Sequence, residues 1–281
     1  MSKKKSGPIP ASPATRERDP DDPAVKTLIL CGGKGTRLGA EEIPKALVEI
    51  GGRPILWHIL KIFQSQGFGE FVLCLGYRGA SIKEYFLYKE GMFREDFLLE
   101  TSSSGPAKAT PLGGGSGGTF RIVFADTGED TPTGGRIKLA SKYADRGTFM
   151  ATYGDGVADV DLRALLAFHR RQGTLGTVTV VNPASQFGEV VVGSDGKVKE
   201  FREKPKMEKW VNGGFFVFEP GFLDYLGEDD VLERAPLERL AKDGQLSAYK
   251  HTGFWRCMDT FKDASQLHEL WSKGRAPWKL W

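Results

Sequence analysis

The chain has 281 residues, 40% of them hydrophobic and 27% charged, with a formal net charge of +3. That composition suits a globular protein with a sizeable core. The basic residues are scattered apart from Lys3-Lys4-Lys5, which leaves no footprint for nucleic acid, and no stretch approaches the ~20 apolar residues of a membrane-spanning helix. The N-terminus has no apolar segment of the secretory kind. Three cysteines, Cys31, Cys74 and Cys257, are an odd number; Cys31 and Cys74 sit in apolar runs, where a thiol packs as a small hydrophobe, and the set points to a reducing cytoplasm.

In chain order, residues 1–25 are rich in Pro, Ser and charge and predict a disordered tail, leaving 26–281 as a single domain. Leu28-Ile29-Leu30 reads as a buried strand that breaks into a glycine turn. After Pro54, the apolar residues Ile55, Leu56, Ile59, Leu60 and Phe63 recur at helical spacing. A strand over Phe71–Leu75 and a helix over Ile82–Tyr88 follow. Residues 101–118 are low in complexity and rich in Gly and Ser, so they read as a flexible surface loop. Next come a helix over Arg136–Tyr143, a strand over Thr148–Tyr153, a helix over Leu162–Gln172 and a strand over Thr177–Val181. This alternation predicts an α/β fold, a Rossmann-like three-layer α/β/α arrangement with a mostly parallel sheet. The short strands expected at Glu189–Val192, Val198–Phe201 and Phe215–Phe218 make the sheet mixed, and a helical segment is expected to close the chain.

The glycine turn carries the chemistry. Gly32, Gly33 and Gly35 can bring main-chain N–H groups close to phosphate oxygens, Thr36 adds a hydroxyl, and Arg37 and Lys45 add fixed positive charge, which together suit a polyphosphate. The spacing is neither that of a dinucleotide fingerprint nor that of a Walker A loop. Asp155, between Gly154 and Gly156, follows an apolar strand and should project from the carboxyl end of the sheet, where α/β proteins place ligands. It could hold a metal or shape a turn. Asp259 could do the same or cap a helix beginning at Phe261. Glu203-Lys204-Pro205 by itself reads as a solvated charge pair beside a proline turn.

The run GGKGTRL, followed by PKALVEIGGRPILWHIL, resembles the sugar-1-phosphate nucleotidylyltransferases. TYGDGVADVDL, FREKP, VNGGFFVFEP, GFWRCMDT and the terminal LWSKGRAPWKLW extend that likeness from about Lys26 to the end of the chain. The resemblance implies Mg2+ as cofactor, with Asp155 and Asp259 as its ligands. It implies nucleotide contacts at Leu30, Gly32, Gly33, Lys34, Gly35, Thr36, Arg37, Lys45, Thr131, Arg136 and Gly154. Sugar phosphate contacts are implied at Tyr153, Glu203, Lys204, Asn212, Gly213 and Trp255, with Arg37, Lys45 and Lys204 as the catalytic cations. The family's cytidylyltransferases are the nearest in pattern, which implies CTP and glucose 1-phosphate as substrates and nucleotide sugars for deoxysugar or polysaccharide synthesis as the context. The family's habit also implies a homo-oligomer, expected to form through the segment around Trp271 and Trp278. Two other classes compete. A glycosyltransferase would use a D-x-D metal motif, which Asp159 and Asp161 spell, although Asp161 stands where the following helix needs its cap. A non-catalytic nucleotide-sugar sensor would typically lack Lys45, Asp155 or Lys204, and all three are present.

Overall fold

The computed structural model describes residues 25–33, 35, 43–90, 97–102, 105–111, 120–144, 147–185 and 187–281. The expected tail up to residue 24, Lys34, Thr36, Arg37 and most of the glycine-rich part of 101–118 lie outside them. In chain order the elements are β1 (Thr27–Leu30), the short pair β2 (Glu49–Ile50) and β3 (Arg53–Pro54), α1 (Ile55–Gln64), β4 (Glu70–Leu75) and α2 (Gly79–Glu84). A hairpin of β5 (Phe97–Ser102) and β6 (Gly105–Pro111) follows, then β7 (Arg121–Asp126), α3 (Thr133–Ala140), β8 (Phe149–Tyr153), β9 (Gly156–Ala158) and α4 (Leu162–Gln172). The chain continues through β10 (Gly176–Val181), β11 (Glu189–Val192), β12 (Val198–Arg202), β13 (Val211–Phe218), α5 (Ala235–Lys242), β14 (Leu246–His251), β15 (Trp255–Cys257) and α6 (Phe261–Ser272).

Seven strands form the central sheet in the order β14-β10-β13-β8-β1-β4-β7. β13 runs against both of its neighbours, and the other pairings are parallel. The sheet is therefore mixed and mostly parallel, as expected. Successive side chains of a strand point to opposite faces, and here both faces are apolar. Ile29, Phe71, Leu73, Leu75 and Met150 pack against α1, α4 and α6 on one side. Leu28, Leu30, Val72, Cys74 and Ala151 pack against α3 and α5 on the other. Burial pushes the Cys74 thiol up to about 12 and the Cys31 thiol well above its ordinary value, so both remain neutral packing groups.

Part of the segment expected to be an irregular loop is strand: Thr101–Ser102 and Gly105–Pro111 belong to the β5–β6 hairpin. The closing region is likewise not helical throughout, since β14 and β15 precede α6. Helix α4 has the bounds the sequence predicts, and Asp161 caps it by accepting from the Ala164 N–H at 2.8 Å.

The segment around Trp271 and Trp278, where an oligomer contact is expected, packs in part within its own chain. Trp278 is fully buried within its own chain. It stacks on Phe254 with ring centroids 5.5 Å apart, and with Trp57, Trp271 and Trp281 it surrounds His58. The His58 Nε2–H donates to the Ile50 carbonyl at 2.8 Å, which leaves Nδ1 to accept from the Trp278 indole at 3.4 Å. Burial pushes the His58 pKa down from 6.5 to about 4, against the pull of the backbone carbonyls. A folded-state pKa below the unfolded value gives stability that is present above pH 6.5 and is lost as pH falls toward 4. His58 is expected to cost roughly 3 kcal/mol of stability across that window. Urea unfolding of the wild type and of His58→Gln at several pH values checks this, because the variant should lose that part of the acid slope.

Candidate active site

β1 and β8 are neighbours in parallel register, with Leu30 opposite Tyr153, so the turns that follow them leave the carboxyl edge of the sheet side by side. From β1 the chain proceeds to β4 on one flank and later returns to β8 on the other. That reversal opens a crevice at the edge, the usual seat of a ligand in such sheets. The crevice holds a cleft of about 170 Å3 lined by Leu30, Gly32, Gly33, Lys45, Arg136, Tyr153, Gly154 and Asp155 of the expected residues, together with Cys31, Ala46 and Thr133. Two glycines are required by close approach. A Cβ on Gly154 would lie 2.8 Å from the Leu30 carbonyl oxygen, and one on Gly32 would lie 2.1 Å from Cζ of Arg136.

Arg136 is buried under that turn. Its Nη1 donates to the Leu75 and Gly128 carbonyls at 3.0 and 2.7 Å and to Thr127 Oγ1 at 2.9 Å, while Nη2 donates to the Glu129 carbonyl at 2.9 Å. Burial pushes its pKa down. These bonds make Arg136 a brace beneath the glycine turn, tying the carboxyl ends of β4 and β7 to it. Thr131, also expected on the nucleotide, packs its side chain against Gly128 and Gly135, and the neighbouring Thr133 lines the cleft in its place.

Lys45, Asp155 and Asp259 meet. Lys45 stands in a short helical turn, Lys45–Leu47, after Pro44. Asp155 lies in the turn between β8 and β9, and Asp259 lies just past β15. β15 pairs antiparallel with β9, setting Cys257 opposite Gly156, and the Met258 N–H donates to the Asp155 carbonyl at 2.8 Å. That register carries Asp259 back over Asp155 across more than a hundred residues of sequence. Lys45 Nζ donates to Asp155 Oδ2 at 2.5 Å and to Asp259 Oδ1 at 2.6 Å. Burial disfavours the ammonium, but the two carboxylates outweigh it and hold the Lys45 pKa up at about 12. Ligand-capable oxygens of the two aspartates and the sulfur of Cys257 lie within 4.8 Å of one another. A pair of carboxylates already gripping a cation fits Mg2+, which takes one or two protein oxygens alongside phosphates and water. The cap that Asp259 might have formed belongs to Thr260, in a reciprocal capping box with Asp263.

Next to this cluster stand several of the expected sugar-side residues. Asn212 Nδ2 donates to the Tyr153 hydroxyl at 3.1 Å, and the Trp255 indole donates to the Gly213 carbonyl at 2.7 Å. Trp255 also lines a second cleft of about 530 Å3 with Asn182, Trp210, His251 and Arg256. Glu203 and Lys204 pair with each other on an exposed stretch after β12. No described contact joins them to Lys45 or Asp155. Lys204 has a φ of 47°, a left-handed backbone that costs a non-glycine residue about 1 kcal/mol or more, so the surrounding turn holds it there. Of the D-x-D pair, Asp159 approaches His251 at 3.0 Å and Asp161 caps α4, so the two carboxylates serve separate ends.

Glu233 was not legible in the sequence. It accepts from the Tyr153 hydroxyl and from Thr133 Oγ1, the latter at 2.8 Å, joining both walls of the first cleft. It comes from the segment before α5, eighty positions from Tyr153, and a lone glutamate there carries no local pattern.

Comparison with known proteins identifies the family. Residues 26–263 match the family model described as nucleotidyl transferase. The chain is 45% identical over 261 residues to the "Probable glucose-1-phosphate cytidylyltransferase" of Bacillus subtilis (strain 168), covering 92% of this chain and 100% of that protein. It is 42% identical over 264 residues to the glucose-1-phosphate cytidylyltransferase of Salmonella typhimurium, with the same coverage of each. Among solved structures, HddC from Yersinia pseudotuberculosis superposes with a TM-score of 0.63 at 21% identity, covering 88% of this chain and 99% of that one, and supports the α/β fold. With glycine turn, cation and carboxylates gathered at the carboxyl edge of this sheet, and with a match across most of its length, the chain belongs to the nucleotidyl transferase family.

Proposed function

We propose that the protein transfers the cytidylyl group of CTP to α-D-glucose 1-phosphate, forming CDP-glucose and pyrophosphate. The observation that carries this reading is Lys45 held between Asp155 and Asp259 beside the Gly32–Gly33 turn. The choice of CTP and glucose 1-phosphate rests on the two relatives that the chain matches from end to end.

The chemistry needs no protein nucleophile, because a sugar phosphate is already ionised near neutral pH. One of its oxygens attacks the α-phosphorus in line. The new O–P bond forms as the bond to the bridging oxygen of the β-phosphate breaks, and that electron pair leaves with pyrophosphate. Catalysis is then positioning plus neutralisation of charge. Mg2+, bound through Asp155 and Asp259, would supply a Lewis acid for phosphate oxygens. Lys45 can shift its ammonium from the carboxylates to the α-phosphate, Lys204 would receive the incoming sugar phosphate, and Arg37 would steady the leaving group. Tyr153, Asn212 and Trp255 would face the sugar. Gly32 and Gly33 leave open the backbone path along which a triphosphate can lie.

Incubating the protein with Mg2+, glucose 1-phosphate and each of the four ribonucleoside triphosphates in turn, while measuring pyrophosphate, tests the reading. CTP should give a kcat/KM at least about tenfold above the others, a margin that one or two base-edge hydrogen bonds can supply. Equal or higher efficiency with another triphosphate would overturn the base assignment, and no pyrophosphate from any of them would overturn the activity.

A further inference from the structure

Cys257 is the third donor of the cluster that Lys45 bridges, and no step of the proposed reaction uses it. Its place is set by register: β15 lies antiparallel to β9 with Cys257 opposite Gly156, the residue that follows Asp155. The sulfur and one oxygen each from Asp155 and Asp259 fall within 4.8 Å of one another, a spacing at which three atoms can share one ion. A second observation marks the same spot as a cation seat. The Lys45 ammonium already occupies it, at 2.5 and 2.6 Å from the two carboxylates. The other two thiols, on Cys31 and Cys74, are 3% and 0% exposed, and among the described residues neither joins the three donors that converge.

The donor set is mixed in character. Two carboxylates suit a hard ion such as Mg2+, whereas a thiolate adds little to Mg2+ and much to a soft ion. We propose that Cys257 is a metal-selectivity residue, a third ligand that gives this seat a preference for thiophilic divalent ions such as Cd2+ and Zn2+ over Mg2+. The proposal rests on the reading of Asp155 and Asp259 as the metal-binding pair. On coordination the thiol proton passes to solvent and a sulfur–metal bond forms, with no change in oxidation state. Thiophilic ions would then compete with Mg2+ for the seat.

The test titrates the full-length protein with Cd2+, following the ultraviolet thiolate-to-cadmium charge-transfer band and the heat of binding, with and without Mg2+. Wild type should show the band saturating at one ion per chain, with Mg2+ displacing it. Cys257→Ser should bind Cd2+ without the band and about tenfold or more weakly. Cys257→Ala, checked by circular dichroism, should repeat that result and covers the case in which the serine variant is misfolded. A band of undiminished strength, or undiminished Cd2+ affinity, in folded Cys257 variants would overturn the role of the thiol. Failure of Mg2+ to compete in wild type and variants alike would instead overturn the Asp155–Asp259 reading beneath it.

Discussion

Lys45→Ala is expected to lower turnover with CTP and glucose 1-phosphate by on the order of 10²–10³-fold while leaving the fold intact. Lys45 is the described cation closest to both carboxylates, at 2.5 and 2.6 Å, and it reaches them from a turn that also forms a wall of the glycine-lined cleft. Removing it takes away a charge that offsets the growing negative charge of the transition state, and it leaves Asp155 and Asp259 to repel each other. The loss should fall on kcat more than on KM for CTP, because the interaction is worth most as the α-phosphate is attacked. Lys45→Arg should not restore the rate. A planar guanidinium presents its donors differently from a compact ammonium, and the site is tight: a Cβ on Gly35 would stand 3.1 Å from Cβ of Lys45. Steady-state pyrophosphate release, with thermal unfolding as the control for folding, checks both variants.

Asp155→Asn should cost at least about a hundredfold at fixed Mg2+, with the half-saturating Mg2+ concentration raised. The amide is nearly the same size as the carboxylate, and the hydrogen bond that binds the Asp155 turn to β15 uses the backbone carbonyl, which the substitution leaves in place. The local structure therefore survives while the charge is lost. Because Lys45 takes part of its stabilisation from Asp155, its ammonium would also be held less firmly. A Mg2+ titration of activity separates this from a folding defect: recovery at high Mg2+ marks a weakened ligand, and a flat, low rate at every concentration marks a lost one.

Much of this fold was legible because its central strands are buried on both faces and so appear as continuous apolar runs. Leu28–Leu30 and Phe71–Leu75 are of that kind, and α4 announced itself through Asp161 at its start. The strands that escaped notice lie at the margins. β7 and β14 are the two edges of the sheet, where one side of the ladder faces outward and polar residues alternate with apolar ones. β15 has three residues, too few for any period to register. The hairpin at 97–111 was masked by its resemblance to linker composition. The tryptophans near the C-terminus are a different case. Large aromatics mark buried contacts, but a sequence does not show that Trp271 and Trp278 meet His58 of the same chain.

The site divides in the same way. Gly32, Gly33, Lys45, Asp155 and Asp259 were named from local pattern and family resemblance, and Lys45, Asp155 and Asp259 come into direct contact. Arg136 was named from family resemblance, and burial turned its charge inward to four main-chain and side-chain oxygens. The positions of Glu233 and of Cys257 beside Asp155 and Asp259 depend on strand register and loop packing between distant segments, information that no window of sequence contains.

Asp155, Asp259 and Lys45 are expected to surround a metal-bound triphosphate lying along the Gly32–Gly33 turn. Crystals grown with Mn2+ and a non-hydrolysable CTP analogue test it through the anomalous signal of the metal. A manganese peak is expected within ligand distance of both aspartates, with the Lys45 ammonium moved onto the phosphates. A manganese peak elsewhere, or a triphosphate bound away from the glycine turn with Lys45 still bridging the aspartates, would contradict it.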